Sequence, residues 1–351
     1  MKSAFLCAAI LFPGLLIAKE LTRLEVVPYD FQNELAGFDD FYLKSINQIE
    51  AVGEKLVMRS RSERIILVLD TETGEKQVVG SSGDGPGEFS HGVAAMGVKG
   101  DQIWAISSGH LDRLMNFRNG EFVSSRIIHT SPLLGRGFVN ALACSGDSVV
   151  VPASPSTKHL GMIYDTSGKA RGIGNLVFYR LEDRELLTRI PAINHTTWLF
   201  ARDHWYAVFN YLPQIQVFDK GGTLVDTFSL EHPSIADAYG KVLDFDPKKA
   251  RSHPGPLIED MKFFRGNLYV MASGILFRLD GETGTIHSAH RFFASGKNAG
   301  RPEDDTRKMN FQHFAFTADG NLYLSHPVAL NLWDHDLFMI KAPSFLNKKN
   351  P

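Results

Sequence analysis

Short runs of β-branched and aromatic residues recur along the chain, each bounded by polar turn residues. Six are closely alike: Lys55-Leu-Val-Met, Gln102-Ile-Trp-Ala, Ser148-Val-Val-Val, His204-Trp-Tyr-Ala, Asn267-Leu-Tyr-Val and Asn321-Leu-Tyr-Leu. Each is followed by a further apolar run: Ile65–Leu69, Leu114–Phe117, Met162–Tyr164, Ile215–Phe218, Ile275–Leu279 and Leu337–Ile340. Runs of this composition and length predict β-strands. The residues ending the second set are Asp70, Arg118, Asp165, Asp219, Asp280 and Lys341, spaced by 48, 47, 54, 61 and 61 positions. Such spacing predicts six copies of one supersecondary unit. Four units continue into an Asp-to-Gly turn: Asp70–Gly74, Asp165–Gly168, Asp219–Gly222 and Asp280–Gly284. Glycine there supplies the left-handed position of a hairpin.

The stretch Gly80–Phe89, GSSGDGPGEF, joins the first unit to the second. Pro86 removes a donor and excludes a central strand, and Phe89 offers an apolar anchor where the next strand begins. This segment resembles the GxGPGxF connection of NHL repeats and of related bacterial six-bladed propellers. The resemblance implies an all-β, six-bladed β-propeller. After Ile340 the chain lacks a convincing fourth strand, whereas Leu21–Val27 alternates like one. The N-terminal strand is therefore expected to complete the last blade and close the ring, removing exposed edges. The extended loops Gly172–Asn194, Leu230–Pro256 and Phe292–Asn310 fall between blades, and Leu181–Leu187 and Ile235–Val242 carry short helical patterns. Insertions confined to one face mark the binding face of a repeat architecture.

Composition narrows the class. A hydrophobic fraction of 44% in 351 residues supplies a core, and 31 glycines with 16 prolines suit a loop-rich fold. A net charge of −2 argues against nucleic acid as a partner. Met1-Lys2 followed by an apolar run from Ala4 to Ala18 reads as a secretory signal peptide over residues 1–18. The expectation is a single propeller domain over 19–351, periplasmic or extracellular, with no membrane span in its mature form. Cys144 would then be alone, as a small buried apolar residue, since Cys7 leaves with the signal. Asn194-His195-Thr196 is a glycosylation sequon, relevant only in a eukaryotic secretory pathway.

Candidate chemistry sits where first strands begin. Aligning the units places Asn47, His91, Asn140, Thr196 beside His195, Glu259 and His313 there, around the mouth of the central channel. Second-strand ends add Arg59, Ser107, Asn210 and His326. These polar side chains are expected to be solvated, either as a ligand pocket or as a structural polar rim that needs no ligand, with binding then elsewhere. Imidazoles with a carboxylate could also hold a divalent metal; no other cofactor is indicated. Arg59, Arg61 and Arg64 are expected to share the first blade's middle loop. Phosphate-loop, H-E-x-x-H, C-x-x-C and G-x-S-x-G patterns are absent. Two functions follow. The first is a non-catalytic envelope scaffold that binds a protein, peptide or small molecule, as the resemblance implies. The second is a metal-dependent hydrolase or lyase at the channel mouth. Absence of a sharp catalytic constellation favours the first.

Overall fold

The computed structural model describes residues 21–29, 46–60, 63–109, 112–128, 142–153, 157–165, 167, 169–178, 187, 190, 192–246, 255–294, 307–325 and 337–347. Six antiparallel blades surround a central channel, each strand hydrogen-bonded to its sequence neighbour. Blade 1 comprises Ile46–Val52, Lys55–Ser60, Ile66–Asp70 and Lys76–Val79. Blade 2 comprises Val93–Lys99, Gln102–Ser107, Arg113–Arg118 and Glu121–Ile127. Blade 3 comprises Ala143–Cys144, Ser148–Pro152, His159–Asp165 and Ala170–Asn175. Blade 4 comprises Thr196–Ala201, His204–Phe209, Gln214–Asp219 and Leu224–Ser229. Blade 5 comprises Ile258–Phe264, Asn267–Ala272, Ile275–Asp280 and Ile286–Ala294. Blade 6 comprises His313–Phe316, Leu322–Ser325 and Leu337–Ile340. First strands touch their neighbours all the way round.

The N-terminal segment closes the ring, but as two strands rather than one. Thr22–Glu25 lies parallel to the outer strand of blade 5, with Thr22 opposite His290. Val26 is fully buried, and its N–H donates to Phe293 O at 2.9 Å. Val27–Pro28 then pairs antiparallel with Leu337–Ile340 and becomes the fourth strand of blade 6. One segment thus spans two blades. The buried Val26 between them breaks the simple alternation from which a single strand is expected.

Glycine-rich chemistry sets the turns. Asp70 Oδ1 accepts from the N–H groups of Glu72 and Thr73, and Asp280 repeats this with Glu282 and Thr283. Gly74 and Gly284 close these turns at positive φ, 74° and 69°. In the Gly80–Phe89 loop, Ser81–Ser82 pairs parallel to Glu88–Phe89. Gly85 N–H donates to the Glu88 carboxylate at 2.7 Å. A Cβ on Gly80 would meet the Phe89 ring at 2.3 Å, so the loop needs glycine to seat that ring. Phe89 is fully buried with Val57, Ile66 and Val79 of blade 1 and Met96, Met115 and Phe117 of blade 2. The core is built this way throughout, from apolar layers between adjacent blades.

Each blade is also tied to a turn of the next, and every receiving group lies on the face of the first and third hairpin turns. Gln77 donates to Asn119 O, Arg126 to Asp165 O, and Arg171 to the carbonyls of Lys220 and Gly221. Arg202 pairs with Glu282 at 2.9 Å, and Arg265 donates to Ala318 O and Asp319 O. Ala318 N–H completes the circuit on Gly53 O. The opposite face carries the blade-to-blade loops, including the helix α1 (Pro233–Leu243). Its N-cap is His232, whose ring accepts from Ser234 N–H at 3.2 Å, and Pro233 follows it. The helical pattern at 181–187 lies outside the described residues except for Leu187.

The N-terminal seal has a measurable consequence. Val26→Asp places an unpaired carboxyl among apolar side chains and is expected to cost about 3 kcal/mol or more. Deleting residues 21–28 is expected to expose the edge of blade 6 and produce aggregates on size exclusion. A deletion variant that stays monomeric with an unchanged Tm would falsify closure by this segment.

Candidate functional site

Two of the blades start alike. Ile46-Asn47-Gln48-Ile49-Glu50 opens blade 1, and Ile258-Glu259-Asp260-Met261-Lys262 opens blade 5. In both, the pairing register skips the second residue, leaving Asn47 and Glu259 in β-bulges. Ala94 is skipped likewise in blade 2. Beyond the bulge, alternation sends one set of side chains toward the channel. Lys262 Nζ lies 2.7 Å from Glu50 Oε1 and 3.1 Å from Asp260 Oδ1. Two equivalent positions on blades 1 and 5 therefore meet, with blade 6 between the blades.

The network extends in both directions. Gln48 Nε2 donates to Glu50 and to Met96 O of blade 2, while Gln48 Oε1 accepts from Met96 N–H and from Arg59 Nε. Arg59 Nη1 donates to Val93 O at 2.9 Å. On the other side, Asp260 Oδ2 accepts from Phe314 N–H at 3.1 Å and lies 3.8 Å from His313 Nδ1. Burial opposes the charge on Lys262, yet Asp260 and Glu50 hold its pKa above the usual value. Burial pushes the Asp260 carboxyl up, and Lys262 pulls it back down. Burial, followed by the charges of Arg59 and Lys262, holds His313 well below the usual imidazole range. A protonated His313 would therefore be disfavoured, despite the nearby Asp260.

The expected residues divide. Arg59, Asn210 and His313 are buried rather than solvated, at 3%, 1% and 1% exposure. Arg59 leaves the expected arginine cluster for the blade 1–blade 2 seam, while Arg64 bonds Ser82 Oγ. Asn210 Nδ2 donates to Thr197 Oγ1 and to Ile258 O, joining blade 4 to blade 5. His195 is also buried, which depresses its pKa to about 4. His91 is exposed at the start of blade 2, and Ser107 Oγ accepts from Ser90 N–H. Asn140 and His326 lie outside the described residues. Asn47 Oδ1, Thr196 Oγ1 and Ser325 Oγ are buried with no hydrogen-bond partner, so part of the channel's polar capacity is unspent. Among the described residues no cluster of three His, Cys, Asp or Glu is arranged to hold a metal. The sequon is structural: Asn194 Oδ1 accepts from Val177 and Phe178 N–H, and its Nδ2 donates to Phe178 O.

Sequence reasoning picked Glu259 but missed Asp260 and Lys262. The available signal was a polar pair at i and i+2 inside an apolar strand, repeated at Gln48 and Glu50. Glu259 instead meets Gly274 N–H of its own blade at 3.5 Å, and burial pushes its carboxyl up to about 8.

A second candidate lies on the insertion face. A cleft of about 680 Å³ separates α1 from blade 5. Ser234, Asp237 and Lys241 line it from one helix face, and Ser273, Ile275 and Arg291 from blade 5. Ile235 and Val242 anchor the helix on its buried side.

No family model and no curated protein matches the sequence. Solved structures similar to the chain include "Structure of U3-55K", at 9% identity and TM-score 0.51, covering 86% of this chain and 96% of that one. A structural-genomics protein of unknown function from Bacteroides thetaiotaomicron gives 12% identity and TM-score 0.50, covering 86% and 70%. A streptogramin B lyase gives 10% identity and TM-score 0.48, covering 86% and 94%. At these identities the likeness concerns the fold and not the ligand.

Two outcomes test the channel assignment. Lys262→Met leaves Asp260 and Glu50 without their cation, and a loss of about 3–5 kcal/mol in denaturant unfolding is expected. Glu259 has a folded pKa raised from 4.5 to about 8, so the folded state favours its neutral form. Its contribution is fully present below pH 4.5 and is lost as pH rises toward 8. Glu259→Gln should therefore match the parent Tm near pH 4 and exceed it at pH 8.5. Equal Tm values at both pH values would refute the buried neutral carboxyl.

Proposed function

We propose that the chain is an exported binding scaffold of the cell envelope, of the NHL-like propeller kind, recognising a protein, peptide or small molecule on its insertion face. The observation that carries this reading is the contrast between the faces. On one, side chains and backbone groups are spent joining blades. The other bears the helix and a concave cleft of the size that small-molecule and peptide sites have. The apolar run Ala4–Ala18 supports export, and the Gly80–Phe89 loop supports the NHL-like kinship. The channel-mouth groups Asn47, His91, Glu259 and His313 belong to the same face and would border a ligand reaching inward.

A second reading, a metal-dependent hydrolase or lyase, has one observation in its favour. Glu259 is poised near neutrality, as a general acid or base must be. Elemental analysis of purified protein, with and without Glu259→Gln, addresses it directly.

The scaffold reading is tested by filling the cleft. Ser234→Trp should abolish retention of the partner from native envelope extract while leaving Tm unchanged. Lys220→Trp, on the stitched face, should retain it. Equal retention by both variants would rule out the insertion face as the recognition surface.

A further inference from the structure

Arg291 is the unusual residue of the cleft. It sits in the outer strand of blade 5, opposite Ile275. The residue is half-buried, and its guanidinium Nε is enclosed without a hydrogen-bond partner. No carboxylate or carbonyl among the described residues pairs with it. The other cation of the lining is already committed: Lys241 lies 2.8 Å from Asp237. That pair is solvated, with side chains 75% and 70% exposed, and contributes no net charge. The register neighbour of Arg291 on the N-terminal strand is Arg23, which turns over the Phe293 ring at 4.3 Å and outside the lining. The lining therefore holds one uncompensated positive charge. Its remaining walls are apolar or small, from Pro233, Ala238, Val242 and Leu257, with Ser234 and Ser273 as hydroxyl donors.

A partly desolvated guanidinium without an acceptor is unfavourable in the isolated protein. A planar oxyanion relieves that cost, because the fork of an arginine matches a carboxylate through two parallel bonds. One uncompensated charge suits a monoanion better than a phosphate dianion. Apolar walls suit a ligand with a hydrocarbon body. We infer that the cleft between α1 and blade 5 binds an apolar ligand through a single carboxylate, held by Arg291 and flanked by the hydroxyls of Ser234 and Ser273. The chemistry fits the C-terminal residues of a peptide. This assignment rests on the insertion face being the recognition surface, and it names the ligand class for that face.

The test is calorimetric titration of the purified protein with acetyl-Ala-Leu-Val bearing a free C terminus, against the same peptide as its C-terminal amide. The free acid should bind, and the amide should bind about tenfold more weakly or worse. Arg291→Gln should reduce the affinity for the acid to that for the amide without lowering Tm, and Arg291→Lys should restore part of it. Three results overturn the proposal: no binding of the acid at millimolar concentration, equal binding of acid and amide, or displacement of the acid by equimolar inorganic phosphate. If the acid fails while Ser234→Trp still abolishes retention of the native partner, the ligand class falls and the recognition face stands. If Ser234→Trp changes neither, both fall.

Discussion

The contact between Lys262, Glu50 and Asp260 is the constraint around which the ring closes. It joins blade 5 to blade 1 with blade 6 between them, in the part of the ring where the segment Val27–Pro28 pairs with Leu337–Ile340. Blade 6 has a short outer edge, because its fourth strand is the two-residue Val27–Pro28. A buried ion pair is a poor source of net stability when an apolar pair could replace it. Its worth lies in register. Only one placement of blades 5 and 1 lets one ammonium reach both carboxylates while Asp260 still receives Phe314 N–H and Glu50 still receives Gln48. Apolar contacts carry no direction of their own, whereas this network is satisfied in one register only.

That constraint explains why the polar channel residues have a double character. Gln48, Arg59, Asn210 and Asp260 each bond a backbone group of the following blade. Their polarity is spent on assembly. Asn47, Thr196 and Ser325 retain unsatisfied oxygens. A channel lined by both kinds is ordered along its walls and keeps polar capacity for water or a ligand. The stitched face adds a second hoop outside the channel. Between hoop and channel the blades have little freedom to shift, so insertions on the remaining face can vary without disturbing closure.

Much of this was written in local patterns. The six strand pairs, the Asp-to-Gly turns at 70–74, 219–222 and 280–284 and the helical run at 235–242 depend on residues a few positions apart, and they appear where the pattern puts them. The division of the N-terminal segment did not show, because a two-residue strand carries no period and its partners are some 300 positions away in sequence. For the candidate site, the sequence spoke to strand position and not to environment. Alignment on the strands located Arg59, Asn210 and His313 at the channel, but their burial depends on how narrowly six first strands converge. Gly97 illustrates the tightness: a Cβ there would stand 2.4 Å from Leu142 O of the next blade. Such approach distances are properties of the closed ring and of no single unit.

Arg291 was invisible for a related reason. In the run His290-Arg291-Phe292-Phe293 it is one polar residue on an alternating strand, a common edge pattern. Its distinction is the lack of a partner, which only the surrounding fold can reveal. Several other arginines among the described residues do have acceptors: Arg59 bonds Gln48, Arg202 pairs with Glu282, and Arg278 donates from Nη1 to Phe345 O. Those arginines are spent in the seams between blades, whereas Arg291 faces a concave cleft, where a ligand can remove the cost of its enclosed Nε. Stability given up locally in this way is the usual signature of a binding residue, and assembly of the ring places no demand on Arg291 that would account for it.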